Sequence, residues 1–132
     1  MKKHIFLLAF ILLSIICSAA YDFTPLYYKG VNGKEYRLQR WYIAILGLSE
    51  NIEFVDSRDT DFQWDNGYSV QNMYLYEKED GKFIYFQRYS CRVLPTAPNT
   101  AKYTPQNIWA KVDKEWSTYI DSNGNSHKLY KK

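Results

Sequence analysis

Cysteine and histidine are scarce in this sequence, which contains two of each among 132 residues. One cysteine and one histidine fall within the first 20 residues, so residues 21–132 contain just Cys91 and His127. A single thiol cannot form a disulfide within its own chain, and one cysteine with one histidine is not a usual zinc ligand set. The sequence therefore argues against a disulfide-stabilised scaffold and against a zinc site. Cys91 is left either buried, paired between chains or capped.

Catalytic motifs are missing as well. The sequence has no Gly-x-Ser-x-Gly elbow, no His-Glu-x-x-His helix and no glycine-rich phosphate loop. The acids Glu77, Glu79 and Asp80 cluster at a turn, where carboxylates are normally solvated. We predict that the protein is not an enzyme.

Neither sign of charge is in large excess. The chain has 17 basic and 14 acidic residues, and removal of Lys2 and Lys3 with a leader gives 15 − 14 = +1. A protein that binds nucleic acid normally carries a basic field. The charge balance therefore gives no support for a nucleic-acid partner.

The first 20 residues have the pattern of a secretory signal peptide. Two lysines precede an apolar run at residues 5–16, and Ser18-Ala19-Ala20 supplies small residues for cleavage. The run is too short for a comfortable bilayer span. Lipidation at Cys17 is the alternative, but an isoleucine stands where lipoprotein processing expects a small residue. We predict a signal peptide at 1–20, one secreted domain at 21–132 and no membrane span.

Aromatic residues are abundant, with 13 tyrosines, 7 phenylalanines and 4 tryptophans. Residues 73–95 contain two aromatic and β-branched arms around Asp80-Gly81, which is the pattern of a hairpin. Asn32-Gly33 and Asn123-Gly124 predict two more tight turns. Residues 96–105, punctuated by prolines, predict a loop. The sequence thus predicts an all-β fold of antiparallel sheets, a sandwich or half-open barrel with about seven or eight short strands.

The polar stretch at residues 56–67 predicts a functional loop. Asp59, Asp61 and Asp65 could place three carboxylates around one calcium ion, which prefers oxygen ligands. The spacing fails the EF-hand pattern, because Trp64 stands in the place of the invariant glycine. A solvated surface loop without metal is the favoured interpretation, and calcium is the cofactor predicted if the loop does bind an ion.

The hairpin resembles the ependymin and ependymin-related family of secreted proteins. That resemblance rests on Tyr74-Leu75-Tyr76-Glu77-Lys78, Gly81-Lys82-Phe83-Ile84-Tyr85, Tyr89-Ser90-Cys91 and Val93-Leu94-Pro95. It implies two antiparallel sheets that enclose a hydrophobic pocket. It also implies a secreted protein that binds calcium and an apolar ligand or a component of the extracellular matrix.

Two functions are left open by the sequence. In the first, a non-enzymatic secreted protein binds an apolar small molecule in a cleft between curved sheets, lined by Trp41, Ile43, Phe54, Phe83 and Tyr85. In the second, a structural or interaction module contacts another protein through surface aromatics. Even spacing also places Cys91 on the same strand face as Phe83 and Tyr85, and we expect its thiol to be inaccessible.

Overall fold

The computed structural model describes residues 19–22, 24–44, 51–59 and 62–132. Every regular element in these ranges is a β-strand, and all pairs are antiparallel. The ten strands are β1 (Ala19–Asp22), β2 (Leu26–Lys29), β3 (Glu35–Ala44), β4 (Asn51–Asp56), β5 (Gln63–Asp65), β6 (Tyr68–Glu79), β7 (Phe83–Leu94), β8 (Ala97–Asp113), β9 (Thr118–Ile120) and β10 (Ser126–Lys128). No helix long and apolar enough to cross a membrane occurs in the described ranges.

The strands form one sheet that curls into a nearly closed barrel. The path runs β1-β3-β4-β6-β7-β8-β9-β10, with β2 beside β3 and β5 beside β6. At the seam, Tyr27 N–H donates to the Tyr130 carbonyl at 2.8 Å, and Tyr130 N–H donates to the Tyr27 carbonyl at 3.0 Å. This pair joins β2 to the segment after β10. The predicted all-β antiparallel class is confirmed, with the half-open barrel rather than the sandwich as its form.

The turns follow the predicted glycine chemistry. Gly33 and Gly124 have φ angles of 81° and 84°, which are costly for residues with a Cβ. At the β6–β7 turn, Asp80 accepts the backbone N–H groups of Lys82 and Phe83, both at 2.8 Å. The central hairpin is therefore confirmed, with arms of twelve residues each.

The loop prediction for residues 96–105 is wrong, because β8 covers 17 residues from Ala97 to Asp113. Proline is tolerated where a strand has no partner on its N–H side. Among the described strands, β9 pairs with β8 only at Lys111 and Val112, so Pro105 needs a partner on the β7 side alone. The ladder also shifts register next to Pro105, between Gln87 and Tyr89 of β7. Similarly, β5 lies inside the stretch that was predicted to be loop at residues 56–67.

Aromatic rings fill the barrel. The interior cluster contains Leu26, Tyr28, Leu38, Ile52, Phe54, Tyr74, Ile84, Phe86, Ala110, Val112, Tyr119 and Leu129. At its centre the Phe54 ring lies 4.8 Å from the rings of Tyr74 and Phe86 and 5.8 Å from that of Tyr119. Such offset and edge-to-face pairs add to the energy of area burial.

A second, smaller cluster lies on the opposite face of the same sheet. It consists of Trp41, Val55 and Met73, with Leu75 and Cys91 packed against it. Strand residues alternate between the two faces. β4 therefore contributes Phe54 to the interior and Val55 to the outside.

The predicted domain boundary reaches the edge of the described residues. Residues 1–18 lie outside them, and the predicted cleavage position after Ala20 falls within β1. The signal peptide stays a prediction.

Candidate binding face

The structure separates the residues that were predicted to line an apolar cleft. Phe54 lies in the barrel interior, whereas Trp41 lies in the outer cluster. Phe83 and Tyr85 are neighbours on β7, with ring centroids 6.3 Å apart. The side chain of Ile43 is outside the described part. The fold thus brings Phe83 and Tyr85 together and keeps them apart from Phe54, and the apolar ligand stays a prediction.

The predicted calcium ligands have protein partners instead. Asp59 accepts a hydrogen bond from Tyr74 Oη at 2.6 Å and forms an ion pair with Arg88 at 3.2 Å. Asp65 pairs with Arg92 at 3.3 Å. Asp61 lies outside the described residues. Across the described ranges, no group of three or more His, Cys, Asp or Glu side chains could hold a metal ion. Calcium binding stays a prediction.

Phe83 and Tyr85 belong to a surface that also carries three lysines. Strand pairing places Lys78 of β6 and Lys111 of β8 on either side of Tyr85. Lys111 Nζ lies 4.4 Å from the Phe83 ring centroid and 5.9 Å from that of Tyr85. Lys78 Nζ lies 5.5 Å from the Tyr85 centroid, and Lys82 Nζ lies 5.4 Å from that of Phe83. We call this surface the lysine–aromatic face.

Each ammonium group of this face is near a ring, and none forms an ion pair with a carboxylate of the described residues. A cation within about 6 Å of an aromatic centroid is attracted by the ring quadrupole. In the described structure, none of Lys78, Lys82 and Lys111 has a carboxylate oxygen within 4.0 Å, whereas the neighbouring Lys114 pairs with Glu79 at 3.3 Å. The rings therefore hold three positive charges in place without neutralising them.

Asp80 lies beside the face, and its acceptor capacity is used within the turn. Hydrogen bonds from Phe83 N–H, from Tyr85 Oη at 2.7 Å and from Lys82 N–H lower the pKa of Asp80 to about 2. The hydrogen bond to Asp80 also raises the pKa of Tyr85 above its usual value. The carboxylate is thus ionised at neutral pH and orients the Tyr85 ring.

The face continues along the barrel to Trp109. Trp109 is opposite Gln87 in the ladder and has 41% of its surface exposed. Its indole N–H donates to Asn107 Oδ1 at 3.1 Å, which fixes the ring. The result is a row of partly exposed rings and ammonium groups on and beside three long strands.

Sequence reasoning found the two rings of this face but missed its lysines. Lys111 lies in the second half of β8, and its register opposite Tyr85 of β7 was not predicted. Lys78 lies beyond an irregularity between Tyr76 and Lys78, where the β6–β7 register shifts. A bulge of this kind moves a side chain to the other face of a strand. The position of Lys78 was therefore not readable from simple alternation.

No family model, no curated protein and no solved structure matches this chain. The resemblance to the ependymin family stays a prediction.

Proposed function

We propose that this protein is a secreted, non-enzymatic binding module that attaches to an anionic polysaccharide of the extracellular matrix. Its binding site is the lysine–aromatic face. The observation that carries the proposal is the placement of Lys78, Lys82 and Lys111 over rings, each without a carboxylate partner among the described residues.

Sulfate and carboxylate groups along a polysaccharide match ammonium groups spaced along a surface. Aromatic rings add an apolar surface on which the C–H groups of sugar rings pack. The lysines and rings lie on or directly beside β6, β7 and β8, the longest strands of the barrel. A rigid site loses little conformational freedom on binding, and this preorganisation favours affinity. Charge complementarity of this exposed kind is weakened by salt.

The predicted apolar-ligand function has less support. Its cleft would occupy the barrel centre, where Phe54, Tyr74, Phe86 and Tyr119 are fully buried against one another. Contact with another protein through exposed aromatics remains the second candidate, favoured by Trp64, which is 53% exposed.

The experiment is binding of the full chain to immobilised heparin and dextran sulfate, with neutral dextran as the reference. Lys78→Gln combined with Lys111→Gln should weaken binding at least tenfold, about 1.4 kcal/mol. The matched control combines Lys34→Gln with Lys102→Gln, which removes two exposed lysines elsewhere and leaves the same net charge. We expect the control to bind nearly as the wild type does. Equal losses in both double variants would show a general charge effect and contradict the proposal, as would equal binding to neutral dextran.

A further inference from the structure

A cavity lies in the barrel wall where β8 separates from β9. The ladder between these strands consists of Lys111 paired with Ile120 and Val112 paired with Tyr119. Beyond it, a cavity of about 410 Å³ is lined by Arg58, Asp59, Arg88, Ile108, Ser122 and Asn123. This volume lies in the range of sites for small molecules.

The carboxylates in and behind this cavity already accept hydrogen bonds from the described residues, Asp59 through Oδ2 alone. Asp59 accepts from Tyr74 and Arg88. Asp121 accepts the backbone N–H groups of Asn123 and Asn125 at 2.9 and 3.0 Å. Its other oxygen lies 2.7 Å from His127 Nε2. Asp121 therefore has little acceptor capacity left for a ligand, and each of the two acids lies beside one of the arginines.

The guanidinium groups still have donors to offer. Arg58 Nε is buried and has no hydrogen-bond partner among the described residues. Its guanidinium lies 4.0 Å from Asp56 and 3.6 Å from Asp121, distances of ion pairs rather than of hydrogen bonds. Arg88 donates through Nε to Gln106 at 2.7 Å and through Nη1 to Asp59 at 3.2 Å. Its Nη2 donates no hydrogen bond to the described residues.

Arg58 Nε has no exposed surface, so the donors that a ligand oxygen can reach are the remaining guanidinium N–H groups of Arg58 and Arg88, which line the cavity. Planar guanidinium groups match the paired oxygens of carboxylates and phosphates. From these observations we infer that the cavity is a binding site for a small oxyanion, a carboxylate or a phosphate, held by Arg58 and Arg88. The Ser122 hydroxyl and the Asn123 amide offer further donors, and Ile108 forms an apolar wall.

The test is calorimetric titration of the full chain with inorganic phosphate and, separately, with succinate, at an ionic strength fixed by sodium chloride. We expect at least one of them to bind with a Kd below about 1 mM. Ser122→Tyr places a ring in the cavity without removing an arginine, and Arg88→Gln removes a donor group. Each should weaken binding at least tenfold. Ser126→Tyr, at an exposed position on β10 that does not line the cavity, is the matched control and should bind as the wild type does.

No measurable binding of either anion would overturn the inference. So would equal loss in Ser122→Tyr and Ser126→Tyr, or unchanged affinity in Arg88→Gln. If Ser122→Tyr fails to fold, Arg88→Gln decides the question. The variant that combines Lys78→Gln with Lys111→Gln should keep its affinity for the small anion, so this site and the lysine–aromatic face can fail independently.

Discussion

Removal of one hydroxyl from the barrel interior should cost a large part of the stability of this protein. Asp56 is fully buried and accepts hydrogen bonds from Tyr28 Oη at 2.7 Å, from Tyr119 Oη at 2.8 Å and from Arg58 N–H at 2.9 Å. Tyr119→Phe removes one of these donors and keeps the ring, which packs against Tyr28 at 5.2 Å. Removal of the partner of a buried polar group costs about 1–3 kcal/mol.

We therefore expect Tyr119→Phe to lower the free energy of unfolding by about 2 kcal/mol. That change corresponds to a fall of about 8 °C in Tm for a domain of this size. The assay is urea unfolding followed by tryptophan fluorescence, with linear extrapolation to water.

Tyr85→Phe is the matched control for this measurement. It removes a hydrogen bond of the same chemistry, Tyr85 Oη to Asp80 at 2.7 Å, but at an exposed position. Its effect should stay within about 0.5 kcal/mol, as for most surface substitutions. Equal effects in the two variants, or a loss below about 0.5 kcal/mol for Tyr119→Phe, would refute the reasoning that burial makes the Asp56 network strong.

Three further predictions concern titration, reactivity and calcium. Burial raises the pKa of Glu53 from 4.5 to about 8 against a smaller opposing effect of Trp41, so the folded state retains a proton that the unfolded chain releases. The stability from this group is thus complete below pH 4.5 and is lost as pH rises to about 8, by up to about 1.4 kcal/mol per pH unit. Glu53→Gln should flatten this dependence of the free energy of unfolding on pH, measured by urea unfolding between pH 5 and 8. An unchanged slope in the variant would contradict the prediction. Burial also raises the pKa of the Cys91 thiol to about 11. A thiol reagent should therefore label Cys91 slowly in the folded protein and fast in urea. Rapid labelling of the folded protein would show that the thiol is accessible. Because Asp59 and Asp65 already pair with arginines, millimolar calcium should leave Tm unchanged, and a calcium-dependent rise in Tm would instead favour the predicted metal site.

Local sequence signals predicted the central hairpin because every cue agreed. The turn at Asp80-Gly81, the arms of aromatic and β-branched residues and the stop at Pro95 all indicate the same two strands, which the structure confirms. The first half of β8 was predicted to be a loop because prolines normally interrupt a ladder. Whether a strand can contain a proline depends on which neighbouring strands it has on each edge, and a sequence pattern does not contain that information.

The site was harder to predict than the fold because its contacts are distant in sequence. Arg88 reaches Asp59 across 29 positions and Arg92 reaches Asp65 across 27. An acidic loop therefore looked like a cluster without counter-ions, although the barrel supplies arginines from β7. Trp41 and Phe54 were grouped by their apolar character, but the pairing of β3 with β4 puts their side chains on opposite faces.

The seam between β2 and the segment after β10 determines how the barrel would respond to mechanical load. Tyr27 and Tyr130 form an isolated antiparallel bridge, and each lies close to one end of the described domain. Force applied at Thr24 and Lys132 would therefore act on the same end of this antiparallel pair, so its hydrogen bonds would break in succession rather than together. The long ladders among β6, β7 and β8 lie on the far side of the ring and would stay intact at that stage. Pulled at these two positions, the barrel would thus yield first at the seam, while the lysine–aromatic face kept its shape.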